Sequence, residues 1–137
     1  MGDAASDVFE WPVRVYYEDT DAQGVVYYAN YFRFMERART EWLRALGVDQ
    51  KAMIDQERRI FVVVSTHAEF VTPAAFNDEL IVTASLGRLT RASFEIEQNI
   101  YRGSRDGTLL LRGGVKAALL DADTMKPQRV PASFFEG

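Results

Sequence analysis

The chain has no cysteine and only one histidine, His67. Without thiols there is no disulfide framework, no thiolate zinc site and no cysteine nucleophile, and such a composition fits a reducing cytosol. No stretch approaches the roughly 20 apolar residues needed to span a bilayer, and the basic-then-apolar run of a secretory signal is missing. The expectation is a soluble, cytoplasmic protein with no transmembrane segment. Positive charge is in short supply as well: sixteen basic against twenty acidic side chains leave a formal charge of −4. That balance repels polyphosphate at long range and argues against a nucleic-acid footprint, so any bound phosphate needs a local basic cluster.

What is present suffices for one core. At 137 residues, with 47% apolar and 12% aromatic side chains, the chain is one domain's worth. A single domain over 1–137 is expected, its first eight residues frayed. Trp11 to Tyr17 alternates as a strand and ends in the polar turn Glu18-Asp19-Thr20-Asp21-Ala22-Gln23-Gly24. From about Ala29 the period becomes helical. Tyr31, Met35, Ala38, Trp42 and Ala45/Leu46 share one side, Arg33, Arg37, Glu41 and Arg44 another, and Gly47 is placed to cap the end. Arg37 with Glu41 and Arg33 with Glu36 have the spacing of helical ion pairs.

A short helical turn at Asp49 to Glu57 precedes a valine-rich strand from Ile60 to Thr72, closed by Pro73. Two half-buried strands follow, with Leu80, Val82, Ala84 and Leu86 on one face of the first and Phe94, Ile96 and Ile100 on one face of the second. Thr108 to Asp121 reads as a last strand, in which Gly113-Gly114 signals a bulge or a close backbone approach. Phe134 and Phe135 are expected to dock on the body. Most connections are too short for parallel crossovers, which predicts an α+β fold: a largely antiparallel sheet with one helix over a face.

The segment with chemical content is Tyr17 to Tyr31, where an acidic loop enters a buried helix. A helix start offers unpaired N–H groups and a positive dipole end that can hold a carbonyl oxygen as negative charge develops. A carboxylate beside it can activate water or attack directly, and a thioester is reactive enough to need no metal or Ser-His pair. Asp21 is the candidate. The alternative is that Asp19 and Asp21 only bond loop amides as Asx-turn residues. The run Asp19, Asp21, Gln23, Gly24 also imitates an EF-hand opening, but Asn30 stands where the bidentate glutamate belongs and a strand precedes it. No metal and no organic cofactor are expected.

The run VRVYYEDTDAQGVVYYANYFRFMERARTEWLRALG resembles the 4-hydroxybenzoyl-CoA thioesterase-like branch of the hotdog superfamily, and most closely its Tol-Pal-associated acyl-CoA thioesterases. Phe70-Val71-Thr72-Pro73-Ala74 and Met125-Lys126-Pro127 extend the resemblance toward the C-terminus. It implies a five-stranded antiparallel sheet wrapped around one long central helix, in a homodimer or homotetramer with active sites at subunit interfaces. It further implies hydrolysis of an acyl-CoA, with Asp21 as nucleophile or general base, Gly24 letting the loop approach the thioester, and the Tyr28 N–H polarising its carbonyl. Glu18 and Asp19 look like loop-shaping residues. Tyr28 departs from many Tol-Pal members, which carry histidine there; relatives acting on aromatic acyl-CoAs often have tyrosine.

His67 is a candidate substrate contact, with a packed or surface role as the alternative. By the resemblance, Arg88, Arg91 and Ser93 contact coenzyme A; the same residues also suit an ordinary solvated turn. An association with cell-envelope or lipid-synthesis proteins follows from the Tol-Pal likeness alone. Two other functions remain open: a hotdog hydratase, disfavoured because no histidine lies on the helix, and a non-catalytic acyl-CoA or acyl-carrier binding module, which a coenzyme A release assay separates from an enzyme.

Overall fold

The computed structural model describes residues 8–136, so of the expected frayed segment all but Val8 lies outside the described residues. Strand β1 (Phe9–Arg14) leads through a short 3-10 turn (Tyr17–Asp19) and a loop to helix α1 (Tyr28–Ala45). Helix α2 (Gln50–Glu57) follows, then strands β2 (Arg59–Phe70), β3 (Glu79–Leu89), β4 (Ser93–Arg102) and β5 (Leu109–Asp121), and a last 3-10 turn (Ala132–Phe135). The five strands form one sheet in the order β1-β3-β4-β5-β2, and all four pairings are antiparallel. The α+β expectation holds, with two helices where one was expected: the segment after Gly47 completes an eight-residue helix capped by the Asp49 carboxylate on Ala52 N–H.

Helix α1 buries Tyr31, Phe34, Met35, Ala38, Trp42 and Leu43. Its first half packs on Val13, Leu80, Val82, Ile100 and Leu111, and its last half on Ala84, Phe94, Ile96, Ala117 and Leu119. The sheet residues of both groups alternate along their strands, as a half-buried sheet requires. Gly47 ends the helix at φ +90°, and Phe135 closes the second cluster, its ring 5.8 Å from Trp42 and 4.9 Å from Phe94. Glu41 pairs with Arg44 and not with the expected Arg37.

Gly113 and Gly114 mark a close approach and no bulge. A Cβ on Gly113 would strike the His67 carbonyl oxygen, and one on Gly114 the Ile96 carbonyl oxygen. The irregularity lies in the neighbouring strand, where the register of β2 on β5 shifts between Val63 and Ser65. One extra residue there inverts the alternation. Phe61 and Val63 sit across from Leu119 and Ala117, while beyond the shift Thr66, Ala68 and Phe70 are opposite Val115, Gly113 and Leu111 on the helix side.

Candidate active site

The loop between β1 and α1 is set by Asp19. Its carboxylate accepts from Tyr16 N–H (2.9 Å) and from the Asn30 amide (3.2 Å), and its carbonyl accepts from Tyr27 N–H (2.9 Å). With both oxygens engaged, Asp19 is the loop-shaping residue that the sequence suggests. Thr20 and Val26 then bridge across a tight turn closed by Asp21 N–H on the Val25 carbonyl (2.9 Å). Gly24 sits in that turn at φ +80°, a conformation that other residues adopt only with strain.

Asp21 itself is exposed, and one oxygen, Oδ1, accepts from Gln23 N–H (2.9 Å) in an Asx-turn. Among the described residues Oδ2 has no partner. The Asx-turn and an available carboxylate oxygen therefore coexist. Helix α1 starts beside it with Tyr27 as N-cap and no side-chain cap. Tyr27 N–H is taken by Asp19 and Asn30 N–H by the Tyr27 carbonyl, which leaves the N–H groups of Tyr28 and Ala29 without partners among the described residues. An unfilled helix start next to a carboxylate can receive an anion or a polarised carbonyl.

Asp21 and Tyr28 line a cavity of about 280 Å³ together with Val25, Val26, Tyr31, Phe70, Thr72 and Pro73. The Tyr28 ring leans on Phe70 (5.0 Å), which in turn meets Tyr31 (5.6 Å), so Tyr28 both packs and lines the cavity. Tyr31 pins the opposite wall. Its hydroxyl oxygen accepts from Ala74 N–H (3.0 Å), while the Ala74 carbonyl accepts from Val26 N–H (2.8 Å), and Val25 bridges Ala75. The segment after β2 is thus tied to α1 on one side and to the Asp21 turn on the other. Burial raises the Tyr31 hydroxyl above its usual pKa, an effect the Ala74 bond partly offsets. The helical period marks Tyr31 as buried, but nothing local to it signals a bond to a residue so far along the chain; Phe70 and Thr72 likewise enter only through the fold.

The remaining candidates lie elsewhere. His67 pairs with Gly114 on the sheet face opposite α1, lining a polar hollow with Ser65, Glu95, Glu97, Arg112 and Lys116. It does not meet Asp21 within this chain. Arg88, Arg91 and Ser93 surround the β3–β4 hairpin, where the Ser93 hydroxyl bonds Thr90 (2.6 Å) and both arginines are exposed. The other end of β3, at Glu79, pairs with Arg14 near the Asp21 loop, so the hairpin is roughly 33 Å away along the strand.

Comparison with known proteins matches residues 15–136 to the family described as the thioesterase-like superfamily. The acyl-CoA thioester hydrolase YbgC of Escherichia coli O6:H1 is 42% identical over 126 residues, covering 92% of each chain. The acyl-CoA thioesterase YbgC of Haemophilus influenzae is 40% identical over 123 residues, 90% of this chain and 88% of its own. Among solved structures, a probable thioesterase from Bartonella henselae superposes with a TM-score of 0.83 at 34% identity, over 91% of this chain and 100% of that one. With its five-stranded antiparallel sheet, a family match over residues 15–136 and relatives at 40 to 42% identity, the chain belongs to the thioesterase-like hotdog superfamily.

Proposed function

We propose that this protein hydrolyses acyl-CoA thioesters, with Asp21 as the catalytic carboxylate and the Tyr28 N–H as donor to the thioester oxygen. The observation that carries the assignment is the unpaired Oδ2 of Asp21 beside the unfilled start of α1. The carbonyl of the substrate lies against the free N–H groups, Asp21 either attacks it or takes a proton from water, and the C–S bond breaks. Water supplies the hydroxyl of the acid and, in the end, the proton of the thiol. Gly24 lets the turn come close to the ester, and Tyr28, Tyr31 and Phe70 form an aromatic wall for the acyl group.

The chain acts as a homodimer at least, and the supporting observation is β2. It is an edge strand of twelve residues whose Val63 and Val64 are 51% and 58% exposed, a liability unless another strand covers it. Antiparallel pairing of β2 with its copy extends the sheet across two subunits, each sheet then wrapping its α1 as a central helix, and exchanges the two ends of the strand. The partner's β3–β4 hairpin thereby comes to the Asp21 end, where Arg88, Arg91 and Ser93 serve the phosphates of coenzyme A. His67, on the outer face, has the weakest case as a substrate contact. A cytoplasmic location and an association with envelope or lipid-synthesis proteins belong to the same reading through the YbgC relatives.

The test is thiol release from short, long and aromatic acyl-CoAs by the wild type and by Asp21→Asn. Loss of about three orders of magnitude with unchanged melting is expected. Retained turnover in the variant removes Asp21 from the mechanism; binding of every ester with release from none makes the protein a binding module.

A further inference from the structure

A second cavity, of about 450 Å³, opens between α1 and the first half of β2. Its apolar walls include Phe32, Leu43, Phe61, Phe94 and Ile96, and its polar groups are Arg33, Glu36, Arg39, Thr40 and Gln50. The size is that of a small-molecule site.

Arg39 is the unusual member. It is half-buried, and Nη1 donates to Gln98 Oε1 (3.1 Å). Gln98 is fully buried, and its Nε2 donates to the Met35 carbonyl (2.9 Å), which fixes the amide with its oxygen toward the guanidinium. A guanidinium carries five N–H donors, and here a neutral amide meets one of them. Among the described residues no carboxylate forms an ion pair with Arg39; Glu36, one turn earlier, is near enough only to favour its charge. Burial pulls this guanidinium below its usual pKa, the sign of a cation held with too little compensation. Two cations against one carboxylate leave the cavity net positive, and its apolar walls suit a hydrocarbon chain better than a nucleotide.

We infer that this cavity receives the distal end of the acyl group and that Arg39 binds a carboxylate there, so that the preferred substrates are ω-carboxyacyl thioesters. The inference rests on the hydrolase reading and on the pairing of β2 with its copy. That pairing sets the Phe70 end of one strand against the Arg59–Phe61 end of the other, and so sets the Asp21 cavity of one subunit against the Arg39 cavity of its partner.

The experiment compares succinyl-, glutaryl- and adipyl-CoA with the chain-matched butyryl-, valeryl- and hexanoyl-CoA, using wild type, Arg39→Met and Glu36→Gln. The wild type is expected to prefer the best ω-carboxy ester by about tenfold or more in kcat/KM. Arg39→Met should lose that preference, read as the ratio of kcat/KM between the two series whatever the absolute rates, and Glu36→Gln should widen it by removing the competing carboxylate. A wild type that shows no such preference overturns the inference, as does Arg39→Met lowering both series equally; Arg39 is then only a clamp between α1 and the sheet. Should Arg39→Met fail to fold, the wild-type panel and Glu36→Gln still decide. If no ester is cleaved, the hydrolase reading fails separately. Calorimetric binding of glutaryl- against valeryl-CoA then tests the Arg39 site: tighter binding of the former supports it, equal binding overturns it.

Discussion

The two ends of α1 meet the same sheet and are finished differently. At the Trp42 end, Trp42, Phe94, Leu119 and the returning Phe135 pack into a buried cluster, with the Arg39 cavity opening at its flank along Leu43, Phe61 and Ile96. At the Tyr28 end, Tyr16, Tyr17, Tyr27, Tyr28, Phe70, Val71 and Phe76 stay exposed around the Asp21 turn. Gln98 separates the two clusters, its amide joining α1 to the sheet. One end is packed by the chain's own C-terminal segment. The other leaves its apolar surface exposed, which the proposed function assigns to a substrate and a second subunit, and on that reading stability and activity can be damaged independently.

The largest effect that would sharpen the contrast is Asp21→Asn: turnover falls by about three orders of magnitude while the melting temperature stays within experimental error. Phe135→Ala should do the reverse, costing about 3 to 5 kcal/mol in denaturant unfolding with the rate per folded molecule nearly unchanged. Equal loss of activity and stability in either variant would break the comparison. Next comes Val64→Lys, which puts a charge on the exposed β2 edge; it should shift the sedimentation profile toward monomer and lower turnover in proportion to the monomer fraction.

Tyr31→Phe leaves Ala74 N–H without its acceptor and should cost about 1 to 3 kcal/mol, with a larger loss in kcat than the destabilisation explains, because the Asp21 turn hangs on the same segment. The smallest effect is on pH dependence. The Tyr31 pKa is raised in the folded state, so its contribution is intact below the unfolded value of about 10 and is lost as pH climbs toward the folded value. The wild type should therefore show a decline in stability above that pH, measured by urea titration, that is shallower in Tyr31→Phe.

The alternation of Leu80, Val82 and Ala84, and of Phe94, Ile96 and Ile100, is strong enough to place β3 and β4 from sequence alone. The helical stripe from Tyr31 to Trp42 does the same for α1, because burial on one face leaves a period that composition cannot hide. The site was legible only in part. Asp21, Gly24 and Tyr28 are neighbours in sequence and meet in space. Tyr31 with Ala74, and Arg39 with Gln98, are joined by tertiary packing that no local pattern encodes. His67 shows a different obstacle: counting alternate residues from Phe61 and Val63 puts it on the helix side, and the register shift after Val63 puts it on the other. Arg88 and Arg91 are exposed on a hairpin remote from Asp21, and only the proposed pairing with a second subunit gives them a ligand.

The two clusters also differ in when the chain can supply them. All members of the Asp21-side cluster have been synthesised once Leu111 is made, whereas the Trp42-side cluster waits for Phe135. During vectorial synthesis, at about 5 to 20 residues per second, Trp42 and Phe94 stay uncovered for on the order of a second or more after the Asp21-side cluster has all its parts. The Trp42 end is thus the late end of biosynthesis, and the nascent chain is open to aggregation or chaperone capture at side chains that the finished protein buries.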